Sequence, residues 1–583
     1  MKIFLLYIMV FTLTATGSVL SQTLDDYIFQ VKNDTLVVKD YYDMENQPNS
    51  LYWVLTLDKD NVPAGRVYEL KSNGYYPLKD IPTTLRNTII VGEDNRILVN
   101  NNDAGSAPPL ICGWESVIGF NFGGINFKHN LTIKNCNIVL ANESGDVGWV
   151  FFDGQADNVK LTLQNCLLER TIWVFMSTQS KNISWHLKDC YFVNMSGHHH
   201  RRSDGVFHVF APQDTLLVEN CTHIMASGYL YRFLQYPFKR IIFNHNTFIN
   251  CAGVIFQDFG YQSAFSTTNN IFVNCNVQPY CDVLASQDVF EFDPDTLAIG
   301  LVNTHNLPDS LEPLDRKYLF ENNVIYWDPR LGDIVSTLNE NNVNGVNDWI
   351  DQMVIMNERT QTMFEDDETY PYLTLGGNYT DIIPDFTDPK NLLADQVDSL
   401  RTFVIATVDT SGWVALPTWR LVSTDFIRSD WPIPVDLSYD NAELSTGATN
   451  DFPVGDLNWF PDKKIQWYAQ REAEYDSIEQ QLGPIKVSIE KDVNLIEGFK
   501  LQQNYPNPFN SNTNISYHLS ATGEVTLKVY DILGREVTSL VNEKQHAGTH
   551  LVQFDGSSLA SGIYFYRLRM KGLEKVRKMF LLK

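Results

Sequence analysis

The chain has 583 residues, of which 44% are apolar and 20% are charged, and its formal net charge is −26 at pH 7. This apolar content excludes a chain that is disordered throughout, and the length allows several domains or one long repeat structure. The negative charge excludes a protein that binds nucleic acid or another polyanion over its whole surface, because like charges repel.

The first 21 residues have the pattern of a secretory signal peptide. Lys2 precedes the apolar run Ile3 to Leu13, and small residues lead to a cleavage site before Gln22. The run is too short to span a bilayer, and no later run reaches the roughly 18 apolar residues of a membrane helix. No cysteine follows the cleavage site, which argues against a lipid anchor. We therefore expect a secreted protein with no transmembrane segment in its mature part.

The charge is divided unequally along the chain. Residues 500–583 hold 11 Lys and Arg against 6 Asp and Glu, a net charge of +5. The signal peptide holds one Lys, so the body between them holds 32 basic and 64 acidic residues, a net charge of −32. The simplest interpretation is a solvated, soluble surface, on which any polyanionic ligand must meet a local basic patch.

Residues 22–67 mix strand-like runs with polar turns. We interpret them as the N-terminal cap of a repeat structure.

The repeat structure is placed at residues 68–330. In each repeat, a short strand with largely apolar alternate positions ends in a polar turn. The turn residues are Cys136, Cys166, Cys190, Cys221, Asn246, Asn270 and Asn323. They lie 30, 24, 31, 25, 24 and 53 residues apart, and a step of 24 leaves no room for a helix between strands. This period, without the leucine-rich-repeat signature, predicts a solenoid of stacked parallel strands.

These turn residues resemble the asparagine ladder of the pectate lyase-like β-helix family. Asn tolerates left-handed backbone geometry, and its amide can bond to the same position in the next coil. The resemblance spans roughly residues 68–323 and concerns the fold. It implies an all-β chain whose body is a right-handed, single-stranded parallel β-helix.

Cysteines fill the ladder position in the earlier coils, and Cys251 and Cys275 form a second column five residues after a ladder asparagine. An even number of cysteines in a secreted protein normally suggests disulfides. Stacked side chains point the same way, however, which is poor disulfide geometry. We expect buried thiols that pack as small apolar groups, with a bond between Cys275 and Cys281 as the alternative.

Residues 331–462 are interpreted as an irregular region that contains the last coil and the C-terminal cap. The spacing of Trp349 and Met353 predicts some helix there. The run from Phe452 to Pro461 resembles the closing segment of secreted β-helix proteins. Residues 463–498 begin with a polar run that carries charges of both signs. We predict that they form a helical linker.

Residues 499–583 are predicted to form a separate, small, immunoglobulin-like antiparallel β-sandwich, because alternating strands are separated by Gly, Asn and Pro turns. The characteristic segments are FKLQQNYPNPFN at 499–510, VTLKVYDILGREV at 525–537, ASGIYFYRL at 560–568 and KMFLLK at 578–583. In their order and their amino-acid sequences, these segments resemble the C-terminal sorting domain of proteins exported by the type IX secretion system. The resemblance implies recognition by that machinery and a location outside a Gram-negative cell or on its surface.

A column of polar residues in the repeat is the predicted site. Counting back thirteen residues from the ladder leads to Asp153, Ser177, His208 and Gln257, with Arg232 one residue out of step. Large apolar neighbours alternate with these residues, so the column should face outward and the neighbours inward. With coils about 4.8 Å apart, the five side chains would form a strip about 20 Å long.

In the pectate lyase-like family the substrate groove follows such a sheet, so the resemblance implies a lyase of acidic sugars. β-Elimination needs a base and a cation that stabilises the enolate-like charge. The candidate catalytic residues are Arg232, His208 and Asp153, and the candidate substrate-binding residues of the column are Gln257 and Ser177. Asp153 and Asp258 form a candidate Ca²⁺ site, although two carboxylates are few for this ion. The alternative is a column that only solvates a sheet face.

A basic loop, His-His-His-Arg-Arg at 198–202, precedes the third strand of the strip. Its candidate ligands for a carboxylated or sulfated sugar are His198, His200, Arg201 and Arg202. A solvated loop is the alternative, and a metal site is less favoured because no partner converges on it. Trp149 and Trp173, 24 residues apart, share a parity and either stack on sugar rings or pack beneath a loop.

The sequence therefore predicts a secreted or cell-surface protein that acts on or binds extracellular polysaccharide. Its most specific form is a polysaccharide lyase, with a glycoside hydrolase less favoured. The competing class is a non-catalytic surface adhesin or structural β-helix protein. No nucleotide or metalloenzyme motif stands out, and the expected partners are the polysaccharide and the secretion machinery, not nucleic acid.

Overall fold

A computed structural model gives the fold of the chain. The residues that it describes are 22–93, 107–114, 124–145, 147–171, 174–195, 205–234, 236–258, 262–280, 298–304, 312–380, 382–388, 391–408, 433–483, 500–501, 504, 507, 509–519, 522–531, 535–570 and 573–582. The predicted signal peptide lies outside them.

Three long, mainly parallel sheets form the body, and we call them A, B and C, with the strands given in the next paragraph. The chain passes through sheets C, A and B in turn to make one coil. Strands that neighbour each other in a sheet come from successive coils. The first pair in sheet A, Ile28–Lys32 with Thr35–Val38, is antiparallel. The parallel pairing then runs from Thr35–Val38 to Leu373–Gly376, so the stack extends beyond both predicted limits, residues 68 and 330. Long parallel sheets in this order are consistent with a β-helix.

Among the described residues the sheets have twelve, nine and six strands. Sheet A holds Ile28–Lys32, Thr35–Val38, Val67–Leu70, Thr88–Gly92, Leu131–Lys134, Lys160–Gln164, Ser184–Lys188, Gln213–Glu219, Phe238–Asn244, Ala264–Thr268, Lys317–Glu321 and Leu373–Gly376. Sheet B holds Tyr75–Leu78, Leu110–Gly113, Asn137–Val139, Leu167–Glu169, Tyr191–Met195, Thr222–Ala226, Thr247–Cys251, Ile271–Cys275 and Val324–Tyr326. Sheet C holds Ile125–Phe127, Val150–Gly154, Val174–Thr178, Gly205–Val209, Tyr231–Leu234 and Phe256–Asp258.

Helices are few in the described part of the chain. The α-helices are α1 Ser50–Leu57, α2 Ile334–Glu340, α3 Glu358–Phe364, α4 Leu392–Val408 and α5 Pro461–Leu482. The 3₁₀ turns are Leu24–Tyr27, Pro313–Asp315, Pro329–Leu331, Val343–Gly345, Leu444–Thr446, Thr449–Asp451 and Leu457–Trp459. The region around residues 333–380 is partly helical, as predicted, through α2 and α3. The helix does not lie at Trp349 and Met353, where the neighbouring Ile350 forms a β-bridge with Tyr280 and Trp349 is buried from a non-helical segment.

Stacked rings fill part of the interior between the sheets. Phe192, His223, Phe248 and Phe272 come from successive sheet B strands, and their ring centroids lie 4.6, 4.3 and 5.0 Å apart with nearly parallel planes. Burial holds the pKa of His223 well below its usual value, and its Nε2 is 2.8 Å from the Tyr231 hydroxyl. The imidazole therefore packs as a neutral aromatic ring, like its neighbours.

The asparagine ladder follows the turn from sheet A to sheet B. The Asn246 amide donates to Oδ1 of Asn270 at 2.9 Å, Asn270 to Asn323 at 3.0 Å, and Asn323 to Asn378 at 3.0 Å. Each Oδ1 also accepts the backbone N–H of the ladder residue in the preceding coil, as Asn270 does from Asn246 at 2.8 Å. The ladder thus continues one coil further than predicted, to Asn378.

The residue before each ladder position has a left-handed backbone. These residues are Asn135, Asn165, Asp189, Asn220, His245, Asn269 and Asn322, with φ between 50° and 61°. Asn and Asp tolerate this region better than most residues because their short side chains bond locally. One bend is therefore repeated in successive coils, and it directs each chain segment from sheet A into sheet B.

The cysteines of the ladder are free and buried, as are Cys112, Cys251 and Cys275. Burial raises the pKa of Cys136, Cys166 and Cys190. Their sulfurs contact backbone carbonyls, as Cys190 Sγ does with the Lys188 oxygen at 3.1 Å. The predicted buried thiols are confirmed for the described cysteines, and Cys281 lies outside the described residues.

Residues 444–482, which we call the clasp, lie along the side of the stack. The backbone N–H of Gly455 donates to the backbone carbonyl oxygen of Asn269 at 2.8 Å. The side-chain amide of Asn458 donates to the backbone carbonyl oxygen of Asn220 at 2.8 Å. Helix α5, with Pro461 in its first turn, then returns over the outer face of sheet A. The helix predicted in residues 463–498 is present as α5, but it packs against the stack instead of only linking two domains, and residues 444–462 lie along the side of the stack.

Buried ionic contacts hold α5 to the left-handed turns. Arg471 Nε donates to Glu219 at 2.6 Å, and the Lys464 ammonium lies 2.7 Å from the Asp189 carboxylate. Glu474 accepts from the Asn244 amide at 2.7 Å and lies 3.4 Å from the His245 ring. Burial acts to raise the pKa of Glu474, but these bonds and the charge attraction of His245 lower it to about 2.

The C-terminal residues form two antiparallel sheets that share one apolar core. The three-stranded sheet holds Lys500–Leu501, Asn512–Leu519 and Gly548–Asp555. The four-stranded sheet holds Glu536–Gln545, Gly523–Asp531, Gly562–Met570 and Leu573–Leu581. Tyr517 from the first sheet and Tyr566 from the second are both fully buried, so the predicted C-terminal antiparallel domain is confirmed.

The ladder can be tested at Asn270, whose side chain is fully buried. Asn270→Ala leaves the Asn246 N–H without its acceptor and the Phe243 oxygen without its donor. Each buried unsatisfied group costs about 1–3 kcal/mol, so we expect a loss of about 3 kcal/mol in urea unfolding. Asn341→Ala is the control, because Asn341 is exposed, and it should change stability by less than about 0.5 kcal/mol. Equal losses in the two variants would contradict the role of the ladder.

The pKa of Glu474 predicts an acid dependence of stability. A carboxyl whose pKa falls from 4.5 to about 2 on folding stabilises the fold above pH 4.5, and this contribution is lost as the pH falls towards 2. The shift corresponds to about 3 kcal/mol. In Glu474→Gln the stability should be lower at pH 7 and should change less between pH 5 and 2, as measured by urea unfolding. Glu472→Gln, at an exposed neighbour, should follow the unmodified protein. The interpretation fails if Glu474→Gln also follows it.

Candidate functional site

The predicted polar column lies in register on sheet C. The pairs of neighbouring residues are Asp153 with Ser177, Ser177 with His208, His208 with Arg232, and Arg232 with Gln257. Arg232 lies in the same row although it stands 14 rather than 13 residues before its ladder position, Asn246. Its coil has one extra residue between the sheet C strand and the ladder. Asn126, which the sequence reasoning missed, pairs with Asp153 and extends the column by one strand. The predicted apolar neighbours are buried, including Phe152, Met176, Phe207 and Phe256.

The centre of this column is buried, contrary to the expected exposed strip. The exposed fraction is 1% for His208 and 0% for Arg232 and Gln257. Ser177 is also buried, whereas Asp153 is half-buried and accepts a hydrogen bond from Gln155 at 2.9 Å. The residues proposed as base and cation are therefore not exposed to a polymer in solution.

The buried pair combines a neutral ring with a charged group. Burial, and then the charge of Arg232, hold the pKa of His208 well below its usual value, so the imidazole is neutral at pH 7. Arg232 Nε donates to Gln257 Oε1 at 2.8 Å, and the guanidinium lies 5.6 Å from the ring centre of Tyr229. A neutral imidazole beside a guanidinium has the groups that β-elimination requires, but it lacks access for the substrate.

The proposed Ca²⁺ pair is wrong on geometry. Three strands separate Asp153 from Asp258 in sheet C, which places them about 19 Å apart. Asp258 accepts hydrogen bonds from the Tyr318 hydroxyl at 2.9 Å and from the Gln262 amide at 3.1 Å. Across the described part of the chain, no three His, Cys, Asp or Glu side chains come together as a metal site.

The remaining candidates are less informative. Trp149 is half-buried just before a sheet C strand, and its carbonyl oxygen accepts the backbone N–H of Val174 at 3.0 Å. Trp173 and the basic loop with His198, His200, Arg201 and Arg202 lie outside the described residues. Their roles stay predictions.

A second surface, which sequence reasoning missed, lies on the outer face of sheet A. We call it the sheet A patch: residues 128–134, 157–164 and 181–188, which form three adjacent strands and the turns before them. One row across the strands contains Lys134, Gln164 and Lys188, and the next row contains Thr132, Thr162 and His186. All six side chains are half-buried, while the alternate residues face the core.

The sheet A patch is basic within an acidic body. It contains five lysines and one aspartate, a net charge of +4. Burial, and then the charges of Lys160, Lys188 and Arg471, lower the pKa of His186 to about 4, against the opposing effect of Asp214. The sequence carried a signal for part of this surface, because Lys134, Gln164 and Lys188 each stand two residues before a ladder cysteine.

A groove of about 870 Å³ opens near the last strand of sheet A, away from both surfaces. Ile355, Phe364 and Leu373 line it together with Glu365 and Asp367. Its apolar and acidic lining does not suit an anionic sugar.

Comparisons with known proteins concern the C-terminal domain. The family described as "Secretion system C-terminal sorting domain" matches residues 503–582. No curated protein matches the chain. A solved structure that matches is PorZ of Porphyromonas gingivalis, described as an essential bacterial surface component of the type-IX secretion system; it is 16% identical, with a TM-score of 0.12, over 16% of this chain and 12% of that chain. A similarity this short supports no argument about the body.

The family match confirms the predicted sorting domain and location. In the described part of the chain, no helix has the length and apolar character needed to cross a bilayer. The sorting domain implies an interaction with the type IX secretion machinery. The protein is therefore secreted or held at the cell surface of a Gram-negative bacterium.

Proposed function

We propose that this protein binds extracellular polysaccharide without cleaving it. In this proposal the body is a right-handed, pectate lyase-like β-helix, and residues 499–583 are an immunoglobulin-like sandwich. The observation that carries the proposal is a contrast between two sheets. Sheet C buries the groups that a lyase would use, whereas the outer face of sheet A presents hydroxyl, amide and ammonium groups that are half-buried or, at Lys160, exposed.

The buried pair on sheet C suits a structural role. His208 packs against Phe210 with ring centroids 4.2 Å apart, and Arg232 is bonded to Gln257 in the next strand. A general base must come within hydrogen-bond reach of the proton that it removes. With exposed fractions of 1% and 0%, these two residues offer a polymer no such contact.

A polysaccharide lyase is the second candidate function. It is favoured by the adjacent positions of His208 and Arg232, which are direct neighbours in the sheet. A lyase would require a rearrangement that opens sheet C to the polymer.

One assay separates the two functions. The mature protein is incubated with pectins, alginates and glycosaminoglycans, with and without Ca²⁺, and the absorbance of unsaturated uronates is followed. We expect no rise in absorbance, together with retardation of the protein in native gels that contain at least one of these polymers. Circular dichroism and the thermal transition show that the protein is folded.

A rise in absorbance would contradict the binding proposal. If it disappeared in both His208→Gln and Arg232→Lys while the thermal transition persisted, the lyase would be established at sheet C. The absence of both cleavage and retardation would favour a purely structural role.

A further inference from the structure

We infer that the sheet A patch is the binding surface for an acidic polysaccharide, whose carboxylate or sulfate groups contact Lys134, Lys160 and Lys188. This inference rests on the proposed function and names the ligand class and the site.

The lysines are spaced for a chain of separated anionic groups. Lys134 and Lys188 stand in one row, two strands apart, so their backbones are about 10 Å from each other. Lys160 lies on the strand between them, four residues from that row and so about 13 Å along the strand. A polymer with repeated charges can contact all three groups at once, across a span wider than a compact anion such as phosphate.

Hydroxyl and amide groups fill the surface between the lysines. Thr132 and Thr162 are paired across adjacent strands, and Gln164 stands between Lys134 and Lys188. Such groups exchange hydrogen bonds with sugar hydroxyls. On the N-terminal side the next strand presents Ile89, also half-buried, which can cover the apolar face of a sugar ring.

Acidic residues limit the patch on its C-terminal side. Glu219 lies 3.8 Å from Lys188 and also binds Arg471, and Asp214 pairs with Lys239 at 3.1 Å. The site therefore covers three strands and accommodates a short segment of a polymer. Charges further away repel it little, because the Debye length is about 8 Å at physiological ionic strength.

The chemistry favours a polysaccharide over a nucleic acid. Single-stranded nucleic acids are bound by basic grooves with aromatic side chains on which the bases stack. The aromatic residue of the patch strands, Trp185, is fully buried. The sorting domain also sends the protein to the cell exterior, where it can meet extracellular polysaccharide.

The test compares two triple variants of the full mature protein. The first changes Lys134, Lys160 and Lys188 to Gln. The control changes Lys59, Lys79 and Lys463 to Gln, which removes the same charge from exposed positions outside the patch. Binding to polygalacturonate, alginate and heparin is measured at two salt concentrations, with dextran as a neutral polymer and single-stranded DNA as a second polyanion.

We expect the patch variant to bind the acidic polymer about tenfold more weakly or worse, with a smaller salt dependence, and the control to bind like the unmodified protein. A variant with Arg at the three patch positions keeps the charge and should retain binding. The thermal transitions of all variants show that they are folded.

The other outcomes overturn one proposal or both. Equal weakening in the patch and control variants places acidic-polymer binding elsewhere and leaves the proposed function intact. Preference for dextran removes the ligand class assigned here and still supports polysaccharide binding. Tighter binding of DNA than of any polysaccharide overturns the choice of ligand, and no binding to any polymer overturns the proposed function as well.

Discussion

The repeated bend between sheets A and B is the constraint on which the rest of the structure depends. At each bend a left-handed residue such as Asn269 precedes a ladder residue such as Asn270, whose amide joins one coil to the next. The buried backbone N–H of each such coil gains an acceptor from its neighbour, so every bend is bonded to the next one. Since the bend sets where each strand begins, side chains in successive coils fall into rows on sheets A and C.

The clasp uses the same bends as its docking surface. Lys464 and Arg471 of α5 bind Asp189 and Glu219, the first a left-handed turn residue and the second the residue before one. Within the described part of the chain, the hydrogen bonds and ion pairs of the clasp to the stack reach Asp189 and the coils that follow it. The position of one helix thus sets which of the described coils it covers.

The period of the repeat made much of this fold predictable, because one ladder position per coil fixes the register of every strand. Counting from the ladder placed Asp153, His208 and their neighbours in one column, as the structure shows. The burial of that column was not predictable, since strand parity gives the face of the sheet on which a side chain lies and not its exposure. The clasp was missed for a related reason: Arg471 and Glu219 are 252 residues apart, and no local pattern encodes their contact.

The charge distribution gives the small basic patch a significance that its size alone would not. On a neutral protein, three lysines would be one weak polyanion site among many. On a body with a net charge of −32, most of the surface disfavours an acidic polymer, so the proposed site would gain selectivity from repulsion at the other surfaces. Lys134 and Lys188 stand two residues before ladder positions, and Lys160 lies on the strand between them, so the repeat that stacks the coils also sets their spacing. One sequence period then specifies both the fold and the proposed binding surface.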